Sequence, residues 1–204
     1  MKYEWKKSEK NLYGAKQTPR LVEVPAQKFI TIKGAGNPNE EDFSARVSAL
    51  YSLAYSIKML YKTLMKDDAE GKIMGFTVYP LEGIWQKAQG EELDKSKLKY
   101  TIMIKQPDFI TREIFDNAIE KVRKKKSSDL YDEIVFKSIE DGKSVQILHI
   151  GSYDSEPESF VKMDAFIKES GLVRSGGLHR EIYLNSKDRV TEDKLKTILR
   201  YCVK

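Results

Sequence analysis

Residues 29–50, FITIKGAGNPNEEDFSARVSAL, and residues 146–167, QILHIGSYDSEPESFVKMDAFI, decide the fold when laid over each other. At a constant offset of 117, Ile30 meets Ile147, Gly34 meets Gly151, Phe43 meets Phe160 and Leu50 meets Ile167, without a gap. Each stretch alternates apolar and polar residues, reaches a glycine turn, and then shifts to apolar spacings of three and four. That is a strand, a turn and a helix. Further strands follow in both halves, with KLKYTIMI (97–104) and GLHREIYL (177–184) as expected counterparts. The expected fold class is α+β. Two tandem strand–helix–strand–strand modules form one antiparallel sheet with helices packed on it and a ligand cleft at the pseudo-two-fold junction, since ligand sites favour such concave junctions.

Working outward, residues 1–27 read as an extended arm lying along the body, with Leu21, Val22 and Val24 before Pro25. Residues 28–106 make the first module, and 107–204 a connecting helix and the second module, all within one domain. Asn39 is the expected cap of a helix that starts at Glu40–Asp42 and runs to about Met65. MGFTVYPLEGIWQ (74–86) and KLKYTIMIKQP (97–107) read as strands, set off by the polar loops DDAEGK (67–72) and KAQGEELDKSK (87–97). Pro107 and Asp108 open another helix. Two strands flank a turn at Glu140-Asp141-Gly142, and Ser155-Glu156-Pro157-Glu158 reads as a capping box for a helix closed by Gly171. Thr191 to Arg200 reads as a short final helix.

With 204 residues, 40% hydrophobic and 33% charged, the chain suits one globular core. It holds no apolar run approaching the roughly 20 residues of a membrane span. A single cysteine, Cys202, excludes an internal disulfide and suits a reducing cytoplasm. The two histidines, His149 and His179, lack metal-site spacing, so no metal and no cofactor is expected. The net charge is +5, and its densest basic run, KVRKKK (121–126), reads as a solvated helix end. No nucleic-acid motif accompanies it, so nucleic acid is not an expected partner.

In YSLAYSIKMLY (51–61), Tyr61 falls on the core stripe with Val47, Leu50, Ala54, Ile57 and Leu64. Tyr51 and Tyr55 lie on its flank, where either the core border or a cleft wall would suit them. In HREIYLN (179–185), Arg180 and Ile182 face one way while His179, Glu181 and Tyr183 face the other. Periodicity alone reads that second side as a solvent face.

LVEVPAQKFITIKGAGNPN, ALYSLAYSIKMLYK, EGIWQ, KYTIMIKQPDFIT and LHREIYLNSKDRVTEDKLKTILRYCVK together resemble the GyrI-like small-molecule-binding domain family, closest to its stand-alone bacterial branch. HREIYLN followed by KLKTILR carries most of the resemblance, with HIGSY in support. The resemblance implies two strand–helix–strand–strand modules and a cleft for lipophilic, planar aromatic or cationic compounds. Family members include effector domains of multidrug-responsive regulators, a gyrase inhibitor, and hydrolases of cyclopropane-bearing DNA alkylators. Glu181 then matches the central buried glutamate of multidrug-binding relatives.

Binding of such small molecules in the cytoplasm is the first expectation. Cyclopropanoid hydrolysis is the alternative, with Glu181 directing water and Tyr153 or Tyr100 stabilising the departing electrons. Each tyrosine is equally well read as packing. Trp85 is the candidate stacking platform, with Tyr79, Tyr51, Tyr55, Tyr183 and His149 as further ligand-binding candidates and Glu82 a weaker one. His149, at the place of Ile32 in the repeat, also reads as structural. Gyrase inhibition finds no acidic DNA-like surface to support it. Roughly 27 residues before the first repeat strand are too few for a helix-turn-helix domain.

Overall fold

The computed structural model describes residues 1–67, 73–86 and 98–204, so the two expected polar loops lie outside the described residues apart from Asp67. The chain enters through β1 (Lys2–Tyr3), two helical turns α1 (Trp5–Ser8) and α2 (Lys10–Tyr13), and β2 (Arg20–Val24). There follow β3 (Gln27–Ala35), α3 (Glu41–Leu64), β4 (Gly75–Phe76), β5 (Leu81–Gln86) and β6 (Lys99–Gln106). Helices α4 (Arg112–Lys125) and α5 (Leu130–Glu133) lead into β7 (Val135–Ile139), β8 (Gly142–Ile150), α6 (Glu156–Glu169), β9 (Leu178–Tyr183) and β10 (Lys196–Cys202). No helix among the described residues is long and apolar enough to cross a membrane.

Eight strands form one antiparallel sheet in the order β2-β8-β10-β9-β5-β6-β3-β7, while β1 and β4 make a separate parallel pair. The order is symmetric about the β5–β9 seam: β3-α3-β5-β6 on one side repeats as β8-α6-β9-β10 on the other. The counterpart of β6 is therefore β10, and that of β9 is β5, which corrects the pairing expected from sequence. The correction follows from the last element. Residues 196–202 are a strand, not a helix, held between β8 and β9. Leu195, Ile198, Leu199 and Cys202 mimic helical spacing, but a central strand buried on both faces loses its alternation.

The sheet also closes on itself. Only Pro25 and Ala26 separate β2 from β3, and only Glu140 and Asp141 separate β7 from β8. One register runs through both ladders, from Arg20↔Gln146 and Val24↔Gly142 to Gln27↔Ile139 and Thr31↔Val135. Two long strands thus bend together at one point, and Glu140-Asp141-Gly142 is that bend rather than a hairpin turn. Closure gives the sheet two unlike faces.

On the helix face, α3 buries Leu50, Leu53, Ile57 and Tyr61 in one cluster with Ile30, Ile32, Ile102 and Ile104. Helix α6 packs Met163 and Ile167 with Val145, Ile147 and Leu199. Each such side chain contributes about 1.5–3 kcal/mol on burial. Local capping differs from expectation. The Asn37 side chain, not Asn39, makes the turn before α3 by accepting the Asn39 N–H at 3.0 Å. Helix α4 begins after Thr111, whose hydroxyl accepts the Ile114 N–H. Ser155 precedes α6 without capping it, because its hydroxyl donates to the Ser152 carbonyl at 2.8 Å.

The opposite face is covered by the N-terminal arm, which is helical rather than extended at α1 and α2. Trp5 and Tyr13 are buried with Tyr79. Glu9 of the arm pairs with the buried Lys105 of β6 and accepts from the hydroxyls of Tyr3 and Tyr79. Removing one partner of a buried ion pair strands the other charge. Glu9→Ala is therefore expected to lower the unfolding free energy by about 3–5 kcal/mol in urea titration. Glu4→Ala, which breaks the solvent-facing Lys7–Glu4 pair, should cost far less. Equal losses would refute the structural role of the arm pair.

Candidate functional site

The site grows from the β5–β9 seam. Its register pairs Trp85 with His179 and Gly83 with Glu181, and cross-strand partners share a face. Trp85, His179, Glu181 and Tyr183 therefore all stand on the helix face, between α3 and α6. The alternate residues, Glu82 and Arg180, go to the arm face. There Arg180 bonds Glu82 at 2.9 Å and Asp141 at 2.6 Å, and Tyr13 donates to Glu82 at 3.2 Å. Glu82 is thus engaged in this network on the arm face.

Glu181 is the centre of a chain of donors. Its side chain is only 12% exposed. One carboxylate oxygen lies 2.7 Å from His179 Nε2 and the other accepts the Tyr183 hydroxyl at 2.7 Å. The Tyr183 oxygen accepts the Trp85 indole N–H at 2.9 Å. A carboxylate offers about four lone-pair directions, so two donors orient it and leave others for a ligand or water. Burial first, and then the charge of Glu181, hold the Tyr183 phenol well above its ordinary pKa, so it stays a donor.

Gly83 makes this chain possible. A Cβ there would lie 2.5 Å from Trp85 Nε1 and 3.3 Å from the Tyr183 hydroxyl. The indole and the phenol meet over the glycine because it has no side chain.

Around this floor opens a cleft of about 2160 Å³, wider than the few hundred Å³ of a closed drug-sized pocket. Tyr51 and Tyr55 belong to its α3 wall, with ring centroids 6.5 Å apart. Tyr153 stands at its second-module end, edge-on to Tyr183 at 5.9 Å. Burial, reinforced by Glu156 and Glu181, pushes the Tyr153 phenol up to about 12.

Other candidates lie elsewhere. The Tyr100 ring backs Trp85 at 5.3 Å, and its hydroxyl reaches Asp42 at 3.5 Å, behind the lining. His149 is buried outside the cleft, bonded to Ser159 Oγ at 2.9 Å and the Ser152 carbonyl at 3.0 Å, and it ties β8 to α6. Tyr79 borders the cleft, but its ring belongs to the arm's aromatic cluster and its hydroxyl to Glu9. Tyr61 is core, its hydroxyl donating to the Ile73 carbonyl at 3.0 Å.

Several lining residues escaped the sequence reading, His179 and Glu156 among them. His179 was visible only as a neighbour of Glu181 in the alternation. Glu156 looked like an ordinary acid at a helix start. In the fold it lines the cleft at 6% exposure, and its Oε1 has no hydrogen-bond partner among the described residues. Burial, then the charges of Glu181 and Asp154, push its carboxyl up to about 9.

The model of the GyrI-like small molecule binding domain matches residues 17–202. The chain belongs to the GyrI-like small-molecule-binding domain family. Among solved structures, this GyrI-like domain is similar to a hydrolase from Listeria innocua, 32% identical over 100% of both chains with a TM-score of 0.87. It is similar also to an uncharacterised conserved Listeria innocua protein, 33% identical over 99% of this chain and 100% of that one, with a TM-score of 0.90. The C-terminal domain of EcmrR shares the fold at 13% identity, covering 92% of this chain and 97% of its own, with a TM-score of 0.53. No curated protein matches the chain at a significant level.

Two outcomes are expected of the GyrI-like site. Gly83→Ala should break the Trp85–Tyr183 contact, which a shift in tryptophan fluorescence would report; an unchanged spectrum would contradict the close approach. Glu156 has a folded pKa raised above its unfolded value, so its contribution to stability is full below about pH 4.5 and is lost as pH rises through about 9. Wild type should lose stability relative to Glu156→Gln steadily between pH 5 and 9 in urea titration, on the order of 5 kcal/mol for a shift of this size. Parallel curves would show that Glu156 ionises normally.

Proposed function

We propose that the cleft binds a lipophilic, planar aromatic molecule, cationic or electron-poor at one end, in the cytoplasm. The carrying observation is Glu181, a shielded carboxylate oriented by Tyr183 and His179 beside the indole of Trp85. A buried carboxylate is costly without a partner, and a ligand cation supplies one at the moment of binding. Aromatic faces add stacking and cation–π attraction of about 0.5–2 kcal/mol each. A cationic planar dye should bind, and Glu181→Gln should weaken it about tenfold or more, as for a lost charged hydrogen bond. Trp85→Ala should weaken it about fivefold. Unchanged affinity in both variants would sink this reading.

A second reading, hydrolysis of a cyclopropane-bearing DNA alkylator, is favoured by the full-length similarity to a protein described as a hydrolase. In this reaction water attacks the cyclopropane carbon and forms the C–O bond while a ring C–C bond breaks. The ring electrons move into the conjugated carbonyl and leave an oxyanion. Glu181 takes the proton that water loses, and the oxyanion takes one from Tyr153, which solvent restores. Water-adduct formation, followed by mass analysis, should appear with wild type and fall about 100-fold or more in Glu181→Gln. Absence of an adduct above the uncatalysed background would exclude the enzyme reading for that substrate.

A further inference from the structure

Glu156 is built into the cleft but is used by neither reading above. It opens α6, yet its side chain is 6% exposed and lines the same cavity as Glu181, on the opposite side from the α3 tyrosines. Its Oε1 has no hydrogen-bond partner among the described residues. A buried polar atom without a partner is rare in a folded protein and costs on the order of a hydrogen bond or more. The charges that act on its carboxyl are the anions Glu181 and Asp154, although the lining as a whole also holds Arg174, Lys187 and Arg189. The groups that bear on it electrostatically are Glu181 and Tyr183 from β9, Asp154 and Tyr153 from the turn before α6, and Tyr201 from β10. His179, another lining residue, is engaged with Glu181. Arg174 lies with its guanidinium on the Tyr201 ring, 3.6 Å from the centroid, and donates to the Gly177 and Leu178 carbonyls.

We propose that Glu156 is the second recognition group of the cleft, a carboxylic acid that donates a hydrogen bond to an acceptor oxygen, such as a ring carbonyl, on the bound molecule. A carboxyl beside the Glu181 carboxylate resolves the conflict of two like charges by keeping its proton, as the carboxyl pushed up to about 9 does here. The helix N-terminus favours the anion, but burial and Glu181 act against it. The two glutamates then divide the work: one negative and accepting, one neutral and donating. The favoured ligand is a planar aromatic ring system carrying a carbonyl on one edge and an electron-poor or cationic centre on another. Where the second reading of function holds, Glu156 is better placed in burial and protonation than Tyr153 to hand its proton to the carbonyl oxygen. The ring-opening electrons arrive there as water forms its C–O bond and gives a proton to Glu181. Proton return from Glu181 or solvent to Glu156 closes the cycle, and the net change is addition of one water.

The hydrogen-bonding role rests on ligand binding and not on turnover, and two measurements test it. In the first, the carboxyl carbons of glutamate are labelled and their NMR shifts followed with pH in the free protein. One carboxyl should titrate near pH 9 and vanish from the spectrum of Glu156→Gln; titration of the Glu156 signal in the ordinary range near pH 4–5 overturns the proposal whatever any ligand does. In the second, xanthone is compared with xanthene, the same ring system without the carbonyl. Wild type should prefer xanthone about tenfold below pH 8 and lose that preference above pH 10. Glu156→Gln, which keeps an amide donor but no titration, should retain a pH-independent preference, and Glu156→Leu should abolish it. Equal binding of xanthone and xanthene by wild type, or an undiminished preference in Glu156→Leu, overturns the proposal while leaving the cleft and Glu181 intact. Loss of the preference without loss of water addition to a cyclopropane substrate would confine Glu156 to recognition and remove it from proton transfer.

Discussion

The pairing of β5 with β9 is the constraint on which the rest depends. It joins the two modules at the centre of the strand order, and its register decides which side chains confront each other. Gly83 opposite Glu181 opens a gap, and Trp85 and Tyr183 lean into it from either strand. A slip of one residue would send Glu181 to the arm face and Arg180 into the cleft. The same two strands resist that slip on their other side. There Arg180 is bonded to Glu82 across the seam and to Asp141 at the bend between β7 and β8. Cleft-facing side chains and register-fixing ion pairs thus alternate, residue by residue, along one pair of strands.

The arm face is unusually charged for an interior. Lys105, Arg180 and Arg200 are matched by Glu9, Glu82 and Asp141. Arg200 also donates twice to the Gln146 side chain, at 2.9 and 3.1 Å, and to the Leu12 carbonyl. Such a network adds little net stability over an apolar core, because desolvation offsets attraction. It does specify geometry. The arm is held by Glu9, Tyr13 and the Leu12 backbone, so it docks on one face only. Trp5 and Lys6 of the arm also line the cleft, whereas the Glu9–Lys105 pair stays on the arm face.

What the sequence made legible follows from periodicity. The gapless 117-residue offset exposed both strand–turn–helix units, because strand alternation and helical spacing are local and strong in each. Tyr61 was placed in the core by the same spacing, and Tyr51 and Tyr55 on the flank that forms the α3 wall. The second half of each module was harder. KTILRYC is buried on both faces, so its apolar residues fit a helix as well as a strand. The bend at Glu140–Gly142 carries turn residues, yet no local signal distinguishes a kink in one long strand from a hairpin. Glu181 emerged from family resemblance rather than pattern, since an alternating strand does not say what covers its polar side. Glu156 stayed hidden because an acid at a helix start has a sufficient local explanation, and its burial depends on β9, twenty-five residues away.

The two halves share a scaffold but line the cleft with different chemistry. The first contributes aromatic surface: Trp85 on the floor and Tyr51 and Tyr55 on the α3 wall. The second contributes the carboxyls, Glu181 from β9 and Glu156 from α6, with the phenols that support them. Phe43 and Phe160, equivalents in the repeat, show the divergence in miniature. Phe43 stacks toward Trp85 at 6.0 Å, whereas Phe160 meets the edge of His179 at 5.1 Å and so buttresses the residue that orients Glu181. A symmetric groove lined alike on both sides would hold a flat molecule in two equivalent orientations. Here the lining carboxyls among the described residues come from the second module, beside its own aromatic residues Tyr153, Phe160 and Tyr183, so the two sides differ in charge more than in aromatic surface. A symmetric frame thus carries an asymmetric lining, with the described lining carboxyls confined to the second module.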